Sequence, residues 1–206
     1  MTDAGAGRRS LRVRCRKAER GPVARRRTYV LIDGENIDAT LGGTVLGRKP
    51  EPNERPRWER VLEFARGLWN QDATGLFFLN ASNGYLPGPF VSALQTIGFR
   101  PVPLAGLATE KVVDIGIQRT LEALVGRDAD VLLGSHDRDY LEQVTDLVET
   151  GHRVAILGFP ELVSGAYAGL DVRLIDLETE VRAFNVPLPR VRIIPLPEFD
   201  PEAFLH

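Results

Sequence analysis

The sequence predicts an α/β fold, a three-layer sandwich with helices on both faces of a mainly parallel central sheet. Short apolar, β-rich runs alternate with stretches of helical period, as in 131–134, then 138–149, then 154–157. The runs are apolar throughout instead of alternating with polar residues, which suits strands buried on both faces. One of them, Tyr29-Val30-Leu31-Ile32, ends abruptly in Asp33-Gly34-Glu35-Asn36. In such sheets ligands gather at the carboxyl ends of the strands. A carboxylate there is costly unless it is exposed, hydrogen-bonded or bound to a cation.

The elements follow in order. Residues 1–27 show no sustained apolar period and are expected to be a disordered head. Residues 28–33 form the first strand. Residues 42–57 combine glycines, three prolines and charges, and read as a long loop. Trp58, Val61, Leu62, Ala65, Leu68 and Trp69 recur at helical spacing, and both tryptophans are expected to pack in or near the core. Residues 75–81 are the second strand, 90–97 a short helix stopped by Gly98, and 99–104 a third strand interrupted by prolines. A helix over 112–125, a buried strand at 131–134, a helix over 138–149, a strand at 154–157, a helix over 161–168 and a last strand at 172–175 complete the pattern. The domain therefore spans 28–184. Residues 185–206 follow as a tail whose part from 187 on holds five prolines and reads as extended.

Composition narrows the function classes. The chain has 206 residues, 43% of them hydrophobic and 26% charged, as in ordinary soluble domains. No apolar run is long enough for a membrane helix, so no membrane partner is expected. The first residues lack the apolar core of a secretory signal, so the expected location is cytoplasmic. A single cysteine, Cys15, excludes an internal disulfide framework and a cysteine-based zinc site. His136, His152 and His206 are widely spaced and form no ligand motif, and His136 reads as structural. The net charge of −2 conceals ten Lys/Arg against two acids in residues 1–27, with the acid excess in the remainder. That basic head can contact nucleic acid or be a solvated tail. There is no GxGxxG after the first strand, no GxxxxGK[ST] and no GxSxG, which removes support for dinucleotide, P-loop and hydrolase-elbow readings.

Candidate chemistry lies in acids placed by landmarks. Asp33 ends the first strand, and Asp137 and Asp139 follow the strand 131–134 in Ser135-His136-Asp137-Arg138-Asp139. In a parallel sheet these two strand ends open on one edge. Asp114, in Lys111-Val112-Val113-Asp114, starts a helix whose stripe is Val113, Ile117, Leu121 and Leu124. It lies at the border of that stripe and can look toward the same edge. Each acid also has a plainer reading, Asp33 as a turn cap and the others as first-turn acids complementing a helix dipole. Asn36 can be a turn residue, and Lys111 a solvated or a phosphate-contacting one. Gathered together, the carboxylates repel and need a cation. Oxygen ligands favour Mg²⁺ or Mn²⁺, and the reaction most naturally implied is cleavage of a phosphodiester.

Over residues 28–176 these segments together resemble the NYN domain, a branch of the PIN-like nuclease superfamily. The resemblance rests on Asp33-x-x-Asn36, Lys111-Val112-Val113-Asp114 and Ser135-His136-Asp137-Arg138-Asp139-Tyr140. It implies a PIN-like, Rossmannoid form of the sandwich and metal-dependent cleavage of RNA, endonucleolytic in kind. Asp33, Asp114 and Asp137 would hold the metal, with Asp139 a further ligand or water-orienting group. Asn36 would support Asp33 or the scissile phosphate, and Lys111 and Ser135 would join it in contacting substrate. RNA is then the expected partner, and a homodimer is compatible with the sequence. Val112 and His136 replace the family's usual glycines, and Arg138 replaces a small residue, changes that bear on loop geometry. A non-catalytic RNA-binding module on the same scaffold is the alternative. A small-molecule phosphatase is the third reading, disfavoured because position 35 is Glu and no phosphate loop is present.

Overall fold

The computed structural model describes residues 26–190, 194 and 196–205. Six parallel strands form one sheet in the order β3-β2-β1-β4-β5-β6. They are β1 (Arg27–Asp33), β2 (Ala73–Asn80), β3 (Phe99–Leu104), β4 (Ala129–Gly134), β5 (Val154–Gly158) and β6 (Val172–Asp176). The helices are α1 (Gly34–Ala39), α2 (Trp58–Leu68), α3 (Gly88–Thr96), α4 (Val112–Val125) and α5 (Leu141–Glu149). The three-layer α/β sandwich is as expected, and the sheet is parallel throughout.

Alternation along the strands splits the core in two. Val30 and Ile32 of β1 pack with Val61, Leu62 and Ala65 of α2, and with Leu94 of α3. Leu31 points the other way, toward Ile117 and Leu121 of α4 and Val144 and Leu147 of α5. Burial of these apolar faces is the main term holding the layers together, at about 25 cal/mol per Å² removed from water. The chain runs outward from β1 through β2 to β3, returns beside β1 as β4, and runs outward again. The strand order thus reverses between β1 and β4, the place where open α/β sheets leave a crevice for ligands. Ile32 pairs with Gly134, so Asp33 and Ser135 leave the sheet side by side at this point.

Several boundaries differ from the sequence reading, each for a local reason. Much of 42–57 is regular: α1 continues as a π-helical stretch over Thr40–Leu46, and Pro52–Glu54 makes a single 3₁₀ turn. Fully buried Leu41 anchors the first of these. The prolines of β3 do not interrupt it, because an edge strand with one neighbour tolerates a missing N–H. The segment 161–168 is not one helix but two 3₁₀ turns, Pro160–Leu162 and Gly165–Gly169. The Ser164 side chain accepts the Ala166 N–H between them, a local bond that competes with helix continuation. α5 starts at Leu141, so Asp137 and Asp139 stand in the preceding turn and not in a helix's first turn.

The far end of the sheet shows what a purely structural acid looks like. Asp130 at the start of β4 is fully buried and accepts from Arg26, Gln71 and both the backbone and side chain of Arg153. Burial pushes its carboxyl up, but the Arg153 bonds outweigh that and hold it below the usual range. Arg26 and Arg27, counted above with the basic head, are therefore tied down, the first by Asp130 and Asp128 and the second as the opening of β1. The rest of the predicted disordered head, 1–25, lies outside the described residues. At the other terminus Leu188 is buried, and Arg190 lies over the Phe159 ring and pairs with Glu178 and Glu161. Beyond it the described residues include short turns at Leu196–Glu198 and Pro201–Phe204. Among the described residues no helix is long and apolar enough to cross a membrane.

Candidate active site

Asp33 is the last residue of β1 and the N-cap of α1, with Oδ1 accepting the Asn36 N–H at 3.0 Å. The turn between them needs glycine at 34, because a Cβ there would stand 2.4 Å from the Phe77 ring. Asp33 is only 4% exposed. Its Oδ2 accepts the Tyr140 hydroxyl at 2.8 Å and lies 3.4 Å from the Ser135 hydroxyl. Burial raises the Asp33 carboxyl above its ordinary range, the bonds from Asn36 and Tyr140 oppose this, and the charge of Asp114 raises it further.

Asp114 stands in the first turn of α4, as expected, and faces the same edge. Its Oδ1 is 3.5 Å from the Tyr140 hydroxyl, which holds one proton and gives it to the closer Asp33. Its Oδ2 lies 3.2 Å from the Lys111 ammonium. That ammonium also donates to Asp139 at 2.7 Å, which holds the Asp139 carboxyl below its usual range and raises the Lys111 ammonium above its own. Asp137 accepts the Asp139 N–H through Oδ1, and its own N–H donates to the Ser135 hydroxyl. The Tyr167 hydroxyl fixes the Asp137 carbonyl at 2.7 Å.

An open cleft of about 380 Å³ is lined by Asp33, Asn36, Lys111, Asp114 and Asp137, with Glu35 and Glu110 adding charge. Three of the four predicted carboxylates thus share one cavity. Asp139 joins them through Lys111, and Ser135 is buried behind Asp33, where its hydroxyl can support that carboxylate.

Two residues matter more than the sequence indicated. Tyr140, fully buried, carries the hydroxyl between Asp33 and Asp114. It ends the third motif, Ser135-His136-Asp137-Arg138-Asp139-Tyr140. His136 fixes Asn36. The Phe159 N–H donates to His136 Nε2 at 2.9 Å, which places the ring proton on Nδ1. Nδ1–H and the His136 backbone N–H then both donate to Asn36 Oδ1, at 3.0 and 2.9 Å. The Asn36 amide –NH₂ is consequently left as the donor on a residue lining the cleft. The His136 ring stacks on Phe159 and sits so close to Gly158 that a Cβ there would be 2.7 Å from Nε2. Burial lowers the His136 pKa to about 4, so the ring is neutral near pH 7.

Among the described residues no three His, Cys, Asp or Glu side chains form a group arranged to hold a metal ion. The cluster is spread, with the Lys111 ammonium and the Tyr140 hydroxyl standing between its acids. The donor set nonetheless fits a hard divalent cation in kind. It consists of oxygens alone, and the most buried carboxylate, Asp33, has no cationic hydrogen-bond partner among its contacts to Asn36, Ser135 and Tyr140.

Comparison with curated proteins returned no match. The family model of the NYN domain matches residues 27–177, which run from the first residue of β1 to just past the end of β6 and include Asp33, Asp114, Asp137 and Asp139. NYN domains are generally nucleases, and PIN-like nucleases usually use divalent metals. The chain belongs to the NYN domain family.

Proposed function

We propose that the chain is a cytoplasmic, metal-dependent endoribonuclease, cutting RNA at the cleft where β1 and β4 end. The observation that carries this reading is the common cleft of Asp33, Asp114 and Asp137, built around a buried carboxylate whose hydrogen-bond partners among the described residues are neutral donors. These three residues would hold a Mg²⁺ or Mn²⁺ ion, with Asp139 reached through Lys111. Bound there, the cation would polarise a phosphoryl oxygen and activate water for attack on phosphorus. The chain's own groups do the rest. Asn36 offers its amide –NH₂ to a non-bridging phosphate oxygen, in the orientation His136 imposes. Lys111 supplies positive charge against the phosphate, a contact it can make by exchanging one carboxylate partner. Tyr140 and Ser135 keep Asp33 in place.

The spread of the acids around Lys111 favours one alternative, a scaffold that binds RNA without cutting it. A single assay separates the two. Protein freed of contaminating nucleases is incubated with single-stranded RNA and Mn²⁺, Mg²⁺ or EDTA, and products are resolved on denaturing gels. Internal cuts with either metal and none in EDTA are expected. Salt-sensitive RNA binding with no products would instead establish the non-catalytic reading.

A further inference from the structure

A second cleft, of about 530 Å³, opens beside the acid cleft, and Glu35 lines both. Its floor is aromatic: Phe77 meets Trp58 edge-on at 5.1 Å and Phe90 at 5.3 Å between ring centroids. Phe77 and Trp58 are buried, whereas Phe90 on α3 is 36% exposed and offers a ring at the mouth. The polar groups around this floor nearly cancel in charge. Arg55 is paired with Asp38 at 2.7 Å, and Arg57 and Glu59 follow in the chain. Arg57 Nε is buried in the wall and has no hydrogen-bond partner among the described residues.

A phosphate would find no net positive field here. A flat, neutral heterocycle with ring acceptors and amino donors finds an apolar floor, an aromatic edge, the guanidinium of Arg57 and carboxylate acceptors. We propose that this cleft is a nucleobase subsite, which takes an unpaired, purine-sized base flanking the phosphate held at Asp33. The identity of the ligand rests on the RNA-cleavage reading above. The base must come from a single strand, because only unstacked bases reach such a pocket. Phe90 supplies the ring contact, and the Arg57 guanidinium, on a residue lining the cleft, donates to a ring nitrogen of the base.

The test reads binding, apart from cleavage. Fluorescence anisotropy in EDTA compares a short oligoadenylate with an abasic ribose-phosphate oligomer of equal length, for the full chain and for Ala93→Trp and Phe90→Ala. Ala93 is exposed and lines the cleft, so a tryptophan there fills the space without disturbing the core. The full chain is expected to prefer oligoadenylate about ten-fold, the scale of one stacked base. Both variants should bring the ratio close to one while leaving the affinity for the abasic oligomer unchanged. Equal binding of the two oligomers, or a preference that survives Ala93→Trp, would overturn the proposal. Loss of metal-dependent cleavage with the base preference intact would count against the nuclease reading alone.

Discussion

Replacing Asp33 with asparagine is expected to abolish metal-dependent RNA cleavage and at the same time to make the metal-free protein more stable. The two effects have one cause. Asp33 stands at a site that is 4% exposed, where burial first and then the charge of Asp114 disfavour the ionised carboxylate. Burial raises the folded-state pKa above the unfolded one. Around the titration the native state therefore binds more protons than the unfolded state, and stability falls as pH rises through the folded value. Asparagine removes that charge while its Oδ1 still accepts the Asn36 N–H, and its –NH₂, standing where Oδ2 stood, can donate to the Tyr140 hydroxyl oxygen. The melting temperature at pH 7 without metal should rise by a few degrees. Activity should fall by on the order of 1000-fold, about 4 kcal/mol of transition-state stabilisation. Calorimetry and a single-turnover cleavage assay measure the two sides. A variant that is less stable and still active would show Asp33 to be an ordinary cap. A stability gain bought by lost function is the common signature of a site built under strain.

The second large effect is a pH dependence of stability set by His136. Its pKa is about 4 in the folded protein, against an ordinary value of 6.5, because burial disfavours the imidazolium. Between those values the unfolded chain carries a proton that the native state refuses. Stability contributed by the neutral ring is complete above about pH 6.5 and is lost as pH falls toward 4. The slope through the middle of this window is about 1.4 kcal/mol per pH unit, and the whole loss is on the order of 3 kcal/mol. His136→Gln removes the titrating group. Urea unfolding at pH 7, 6 and 5 should show the wild type losing stability faster than the variant by about that slope. Parallel profiles would contradict the buried, neutral histidine.

How much of this was legible in the sequence depends on the range of the interaction involved. The apolar runs of β1, β4 and β5 and the stripe of α4 state their burial residue by residue, so the sandwich and the parallel sheet follow from them. The placement of Asp33 and Asp137 on one edge follows as well, because parallel strands put their carboxyl ends together. What failed was local and chain-specific. Asp137 bonds to the Asp139 N–H and delays the start of α5, and Ser164 bonds to the Ala166 N–H and breaks the helix read at 161–168. Such side-chain bonds have no periodicity. His136 and Tyr140 were underweighted for another reason. Their partners Asn36, Phe159 and Asp33 are distant in sequence, and only the fold brings them within 3 Å. The Lys111 bridge between Asp114 and Asp139 is of the same kind, a lysine at the N-cap of α4 reaching a turn after β4. Asp130 carries the opposite lesson. It too is an acid in a buried strand, and only its arginine partners at the far end of the sheet show that it is structural.

In the proposed active form Asp33, Asp114 and Asp137 close on one divalent ion. Crystals grown with Mn²⁺ and measured at the manganese absorption edge address it without recourse to activity. An anomalous peak is expected in direct coordination distance of the Asp33 carboxylate and of at least one of the other two, with Lys111 withdrawn from Asp114. No peak beside Asp33, with the Lys111 ammonium still bridging Asp114 and Asp139, would contradict it.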